Sequence, residues 1–263
     1  MANLYVCSQN TNDVRTYLAT GQSSIFASGN GLNQPWGIAV DSTGRFYIAS
    51  RGSSNVLRFN SNGSFDKVFA SGNGLSKPTG LVFDSNGKLY VGDNDPANNN
   101  VLRFNADGTF DKIFATGNGL NLPNGMVFDT SGKFYVASYG SGQVLRFNSD
   151  GSFDKVFCSA GPSPTGIAFD ANGKLYVAVN LPTGVLRFNS GGTYDQLFAA
   201  SGPMSSIQGI VFGTDRNLYV ACGFVDKVTR NSSVLQFTGT SGAFNSIWAA
   251  GGGLDWPFGI VFA

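Results

Sequence analysis

The stretch PTGLVFDSNGKLYVGD (Pro78 to Asp93) returns, barely altered, as PWGIAVDSTGRFYIAS, PNGMVFDTSGKFYVAS and PTGIAFDANGKLYVAV. Repetition at a fixed period means one supersecondary unit packed against copies of itself, so it decides the architecture before any single residue does. The motif glycine of each Pro-x-Gly stands at Gly37, Gly80, Gly125 and Gly166, with looser copies at Gly209 and Gly259. Successive spacings are 43, 45, 41, 43 and 50 residues.

Within a unit, GLVFD, KLYVG, VLRFN and FDKIFA are short runs rich in β-branched and aromatic residues, bounded by Gly, Asn, Asp or Ser. They predict four strands, A to D. The A–B link (DSNGK, DTSGK) and the C–D link (NADGT, NSDGS) place Gly where a tight hairpin needs a positive φ. Strands A and B are apolar on nearly consecutive positions, which suits a sheet covered on both faces. Four-stranded units of this length, sandwiched between neighbours, predict a β-propeller. The last unit, PFGIVFA (Pro257 to Ala263), supplies only a strand A, while the chain opens on NLYVCS (Asn3 to Ser8), a strand B. The expected fold is therefore an all-β, six-bladed propeller of four-stranded antiparallel blades. Its C-terminal strand A pairs with N-terminal strands B–D, and residues 1–263 form a single domain.

Composition excludes several chemistries. The chain has no histidine, and all sixteen acidic residues are aspartate, so imidazole bases, histidine metal ligands and catalytic glutamates are absent. Seventeen basic residues balance the acids, so there is no basic footprint for nucleic acid. No apolar run reaches membrane-spanning length, and the opening MANLYVCSQN lacks the n- and h-regions of a leader, so a soluble, monomeric protein is expected. Its Asn, Ser and Gly richness leans toward a secreted or extracellular setting. Cys7 and Cys222 would sit on neighbouring strands, where a disulfide is conceivable. Free buried thiols, Cys158 among them, are the expectation.

The repeat, Pro-x-Gly followed by alternating aliphatics, Asp-x-x-Gly and Tyr-Val, resembles that of the NHL-repeat propellers over essentially the whole chain. It loosens in blade five, where Ile207 and Gly213 replace the Pro and the turn Asp. The resemblance extends to propellers of the gluconolactonase, virginiamycin-B-lyase and strictosidine-synthase groups. For the lyases it would imply a histidine, and for the synthase a glutamate, that this sequence lacks. For the lactonases it would imply a divalent metal held by Glu, Asn and Asp. Here the best candidates for such a site would be Asp93, Asp95, Asn124 and Asp226, binding Ca or Mg.

Residues that repeat belong to the scaffold. The turn aspartates Asp41, Asp84, Asp129 and Asp170 are expected to cap the A–B turns. Asp66, Asp111, Asp154 and Asp195 face Arg58, Arg103, Arg146 and Arg187 across strands C and D as ion pairs. What remains gathers on the face that carries the B–C and D–A connections. These loops vary in length and sequence, as functional loops on a rigid scaffold do: they hold Asp93 and Asp95, Tyr139, and Phe224 with Asp226. The residue before each motif glycine also varies: Trp36, Thr79, Asn124, Thr165, Gln208 and Phe258. This ring should surround the channel mouth, with Trp256 beside it, offering stacking and hydrogen bonding to a ligand. The sequence thus points first to a non-catalytic recognition module for a small molecule, glycan or protein, with no cofactor. A metal-dependent lactonase-like hydrolase and a rigid structural or sensor propeller are the alternatives.

Overall fold

The computed structural model describes residues 2–223 and 232–263. They form six four-stranded antiparallel sheets. Blade one comprises strand A (Pro35–Val40), B (Phe46–Ser50), C (Asn55–Phe59) and D (Phe65–Ser71), and the next four repeat that order from Pro78, Pro123, Pro164 and Ile207. In blade six, Pro257–Phe262 pairs with Leu4–Ser8, followed by Asp13–Tyr17 and Ser23–Ser28, which closes the ring as expected.

The hydrophobic core lies between blades. In blades one to five the strand-B tyrosine packs edge-on against a ring of its own strand D and against the phenylalanine that ends strand A of the next blade. Tyr47, Tyr90, Tyr135 and Tyr176 contact Phe69 and Phe83, Phe114 and Phe128, Phe157 and Phe169, and Phe198 and Phe212, at centroid distances of 4.7–5.0 Å. Such pairs contribute about 1 kcal/mol each beyond their burial. The tyrosine hydroxyl donates to the turn aspartate, as from Tyr47 to Asp41 at 2.9 Å. Burial raises the Asp41 pKa. Hydrogen bonds from the Thr43 hydroxyl, the Arg45 and Thr43 N–H groups and Tyr47 outweigh it and hold the carboxyl well below the usual range. The expected cross-strand ion pairs are present: Arg58–Asp66, Arg103–Asp111, Arg146–Asp154 and Arg187–Asp195. All three cysteines are free and buried, with Cys158 and Cys222 each pushed by burial up to about 12.

The motif glycines line the axis. A Cβ on any of them would lie well inside 3.0 Å of the backbone of the next blade. Gly37 faces the Thr79 carbonyl oxygen, Gly80 that of Asn124, Gly125 that of Thr165, Gly166 that of Gln208, Gly209 that of Phe258 and Gly259 that of Trp36. The repeat keeps glycine there because six strands converge at a radius that leaves no room for a side chain.

Replacing Gly80 by Ala should therefore destabilise the ring by roughly 3 kcal/mol or more. Gly31→Ala, where nothing lies within 4 Å but φ is +84°, should cost only about 1–2 kcal/mol. Urea denaturation of the two variants checks the contrast, and equal losses would contradict it.

Candidate functional site

Every strand A carries a bulge at the residue before its motif glycine. Pro35 faces Ser50 but Ile38 faces Ile48, and the ladder slips in the same way in the other five blades. Bulges bend a strand and re-aim a side chain. Four of the six residues so placed, Trp36, Asn124, Gln208 and Phe258, line the channel mouth. Thr79 and Thr165 do not. Both are buried and bridge blades: Thr79 Oγ1 donates to the Pro123 carbonyl at 2.8 Å, and Thr165 Oγ1 to that of Ile207 at 3.1 Å. At these two positions, variation in the repeat reflects a second way of fastening neighbours rather than exposure to a ligand.

The mouth is a cup of about 380 Å³. Beneath it the channel narrows to about 120 Å³ between the motif glycines and an aliphatic ring of Ile38, Leu81, Met126, Ile167, Ile210 and Ile260. Trp36, Asn124, Gln208 and Phe258 line both spaces and so form the floor of the cup. Its wall comes from Gln9, Asn94, Tyr139 and Asn180, with Leu122 and Trp256. Gln9, Asn94 and Tyr139 immediately follow strand B in their blades and Asn180 ends it in blade four, a column at the end of strand B that sequence reasoning passed over except at Tyr139. The signal was available, since the column reads Gln9, Arg51, Asn94, Tyr139, Asn180 and Gly223.

Trp36 is the best-fixed element of the floor. Its ring lies 3.7 Å from that of Phe258, inclined by 32°, and its indole N–H donates to Asn124 Oδ1 at 3.2 Å, from blade one to blade three. The Arg51 guanidinium sits 4.6 Å from the Trp36 ring centroid, a cation–π contact. Burial lowers the Arg51 pKa from its ordinary value, and the carboxylates of Asp93 and Asp95 oppose that shift. By contrast, the carboxamides of Gln9, Asn94 and Gln208 make no side-chain hydrogen bond to any described residue, and Asn180 Oδ1 has no protein donor. Among the described residues, no charged side chain lines the cup.

Asp93 and Asp95 lie outside it. Asp93 is fully buried and receives the Lys77 N–H at 2.7 Å and the Asn98 amide at 2.9 Å. It does for blade two what Ser50 and Ser138 do for blades one and three, whose hydroxyls receive the Asn33 and Asn121 N–H groups at 2.8 and 2.9 Å. Asp95 accepts from the Ala97 N–H and the Ser76 hydroxyl, and these bonds hold it below the usual carboxylate range. Asn124 Oδ1 is taken by Trp36. Among the described residues no three acidic or thiol side chains gather as a metal cage would require. Phe224 and Asp226 lie outside the described residues.

Comparison with known proteins agrees with the propeller fold. The NHL repeat matches residues 32–59, and a β-propeller domain of unknown function (DUF5122) matches residues 85–114 and 123–157. No curated protein matches the chain. A chain of the nidogen/laminin complex superposes with a TM-score of 0.80 at 16% identity, over 99% of this chain and 97% of that one. A gluconolactonase from Xanthomonas campestris gives 0.70 at 21%, over 83% and 78%. Virginiamycin B lyase from Staphylococcus aureus gives 0.61 at 20%, over 80% and 68%. At these identities the likeness is one of fold. The chain is a six-bladed β-propeller, and its first blade carries the NHL repeat.

Because the oxygens of Asp93, Asp95 and Asn124 are already committed, millimolar calcium or magnesium should leave the thermal midpoint within about 1 °C. A rise of several degrees, followed by calorimetry, would contradict this assignment.

Proposed function

We propose that the protein is a non-catalytic recognition module whose channel mouth binds a neutral, polar small ligand. One observation carries the reading: uncommitted carboxamides of Gln9, Asn94 and Gln208 converge with the aromatic rings of Trp36, Tyr139, Trp256 and Phe258 around one cup, with no charged side chain among its described lining residues. Rings supply a flat apolar platform, while carboxamides offer both donors and acceptors, which together suit a ligand bearing hydroxyl or amide groups on a stackable skeleton. The cup's volume falls within the range usual for small-molecule sites. Catalysis is disfavoured by the same inventory. Among the described residues the lining holds no carboxylate, imidazole, thiol or amine to move a proton near neutral pH, leaving the Tyr139 phenol. Rigid presentation by the closed ring fits binding, since pre-organisation lowers the ordering cost of association.

The test uses intrinsic fluorescence, because Trp36 and Trp256 both border the cup. A panel of neutral saccharides, polyols and nucleosides, with anionic counterparts, should yield neutral compounds that change the emission. Trp36→Ala and Gln208→Ala should each weaken such a compound by about tenfold or more without abolishing the cooperative thermal transition. Binding that survives both changes would place the ligand elsewhere and refute the reading.

A further inference from the structure

A second space adjoins the cup at Tyr139. The D–A connection after blade three contains four residues (160–163), where the three preceding ones contain six (29–34, 72–77 and 117–122). The shortened loop lacks the Gly-Asn-Gly-Leu segment of those three, and a groove of about 590 Å³ lies beside it. Tyr139, 38% exposed, borders both the cup and the groove and so joins them.

We infer that the cup and this groove form one extended subsite series for a neutral oligosaccharide, with a terminal unit over Trp36 and Phe258 and following units crossing Tyr139 into the groove. This rests on the recognition reading of the cup and names its ligand class. The groove repeats the chemistry of the cup: its described lining holds no charged residue, and the side chains of Gln143, Ser159 and Ser163 make no hydrogen bond to any described residue. Hydroxyl and carboxamide groups of this kind pair with sugar hydroxyls directly or through water. The Tyr139 ring offers the apolar face of a sugar a surface to lie on, and its phenolic oxygen a polar contact. A peptide chain fits less well, because it needs open backbone groups along its path. The four successive N–H groups of the groove floor are already used. Tyr139 donates to Leu122, Gly140 to Asn121, and both Ser141 and Gly142 to Ser138, while the Gly142 carbonyl accepts from Ala160. Anionic chains would find no cation among the described residues of either lining.

The experiment is calorimetric titration of the full chain with neutral glucose, N-acetylglucosamine, xylose, mannose and galactose oligomers, from mono- to pentasaccharide. An acidic oligosaccharide and an uncharged peptide complete the panel. At least one neutral series should tighten by about tenfold or more between mono- and trisaccharide. In Tyr139→Ala, and independently in Ser159→Trp, which fills the groove from its exposed opposite wall, the ratio of mono- to trisaccharide constants should collapse toward about one. A constant independent of chain length, or an unchanged ratio in both variants, overturns the extended path while leaving the cup reading standing. If every neutral oligomer fails to bind although another neutral compound perturbs Trp36, the glycan class is wrong. Preferred binding of the acidic oligomer or the peptide overturns it equally. Loss of all ligands, with Trp36→Ala indistinguishable from the parent chain, sinks the cup reading itself.

Discussion

The ring depends on the contact between each motif glycine and a carbonyl oxygen of the next blade. Six A strands must pass the axis within a backbone's thickness of one another, and only a residue without a Cβ permits it. The interblade aromatic clusters can assemble only once that inner radius is set, because Tyr47, Phe69 and Phe83 belong to two blades and meet across their interface. A second set of glycines does the same work further out. Gly108, in the C–D turn of blade two, lies against the Phe69 carbonyl of blade one, and Gly151 against that of Phe114. Glycine at two radii thus fixes the spacing of the blades, while the tyrosines and phenylalanines between them provide the burial.

That inner constraint also creates the site. A bulge accompanies each motif glycine, and the side chain beside it is re-aimed at the axis or into the blade interface. Which outcome follows depends on the side chain. A threonine is small enough to stay buried and to satisfy its hydroxyl on a neighbour's carbonyl, as Thr79 and Thr165 do. Tryptophan and glutamine are too large for that pocket and remain at the mouth. The floor of the cup is therefore set by the size and hydrogen-bonding capacity of one residue per blade.

The fold was legible because the repeat states its own period, turn glycines and closure, and backbone geometry leaves few alternatives to a ring of four-stranded blades. The site was legible only in part. Subtracting repeated residues exposed Trp36, Asn124, Gln208 and Phe258, but the same subtraction promoted Asp93, whose carboxylate substitutes for a serine hydroxyl in holding its loop. A residue that breaks the repeat can still perform the repeat's task with different atoms. Conversely, Gln9, Asn94 and Asn180 escaped notice because each looks like an ordinary loop amide until the bulged strands bring their column to the wall of the cup.

The recognition reading rests on side chains that face the cup with hydrogen-bonding capacity left over, in a frame too constrained to rearrange around a ligand. The most direct measurement is the NMR spectrum of the side-chain NH₂ groups in ¹⁵N-labelled protein as a bound neutral saccharide is added. The resonances of Gln9, Asn94 and Gln208 should shift together and saturably, at the same midpoint as the Trp36 indole N–H. Shifts confined to amides on the outer turns, with those four signals unmoved at saturation, would contradict it.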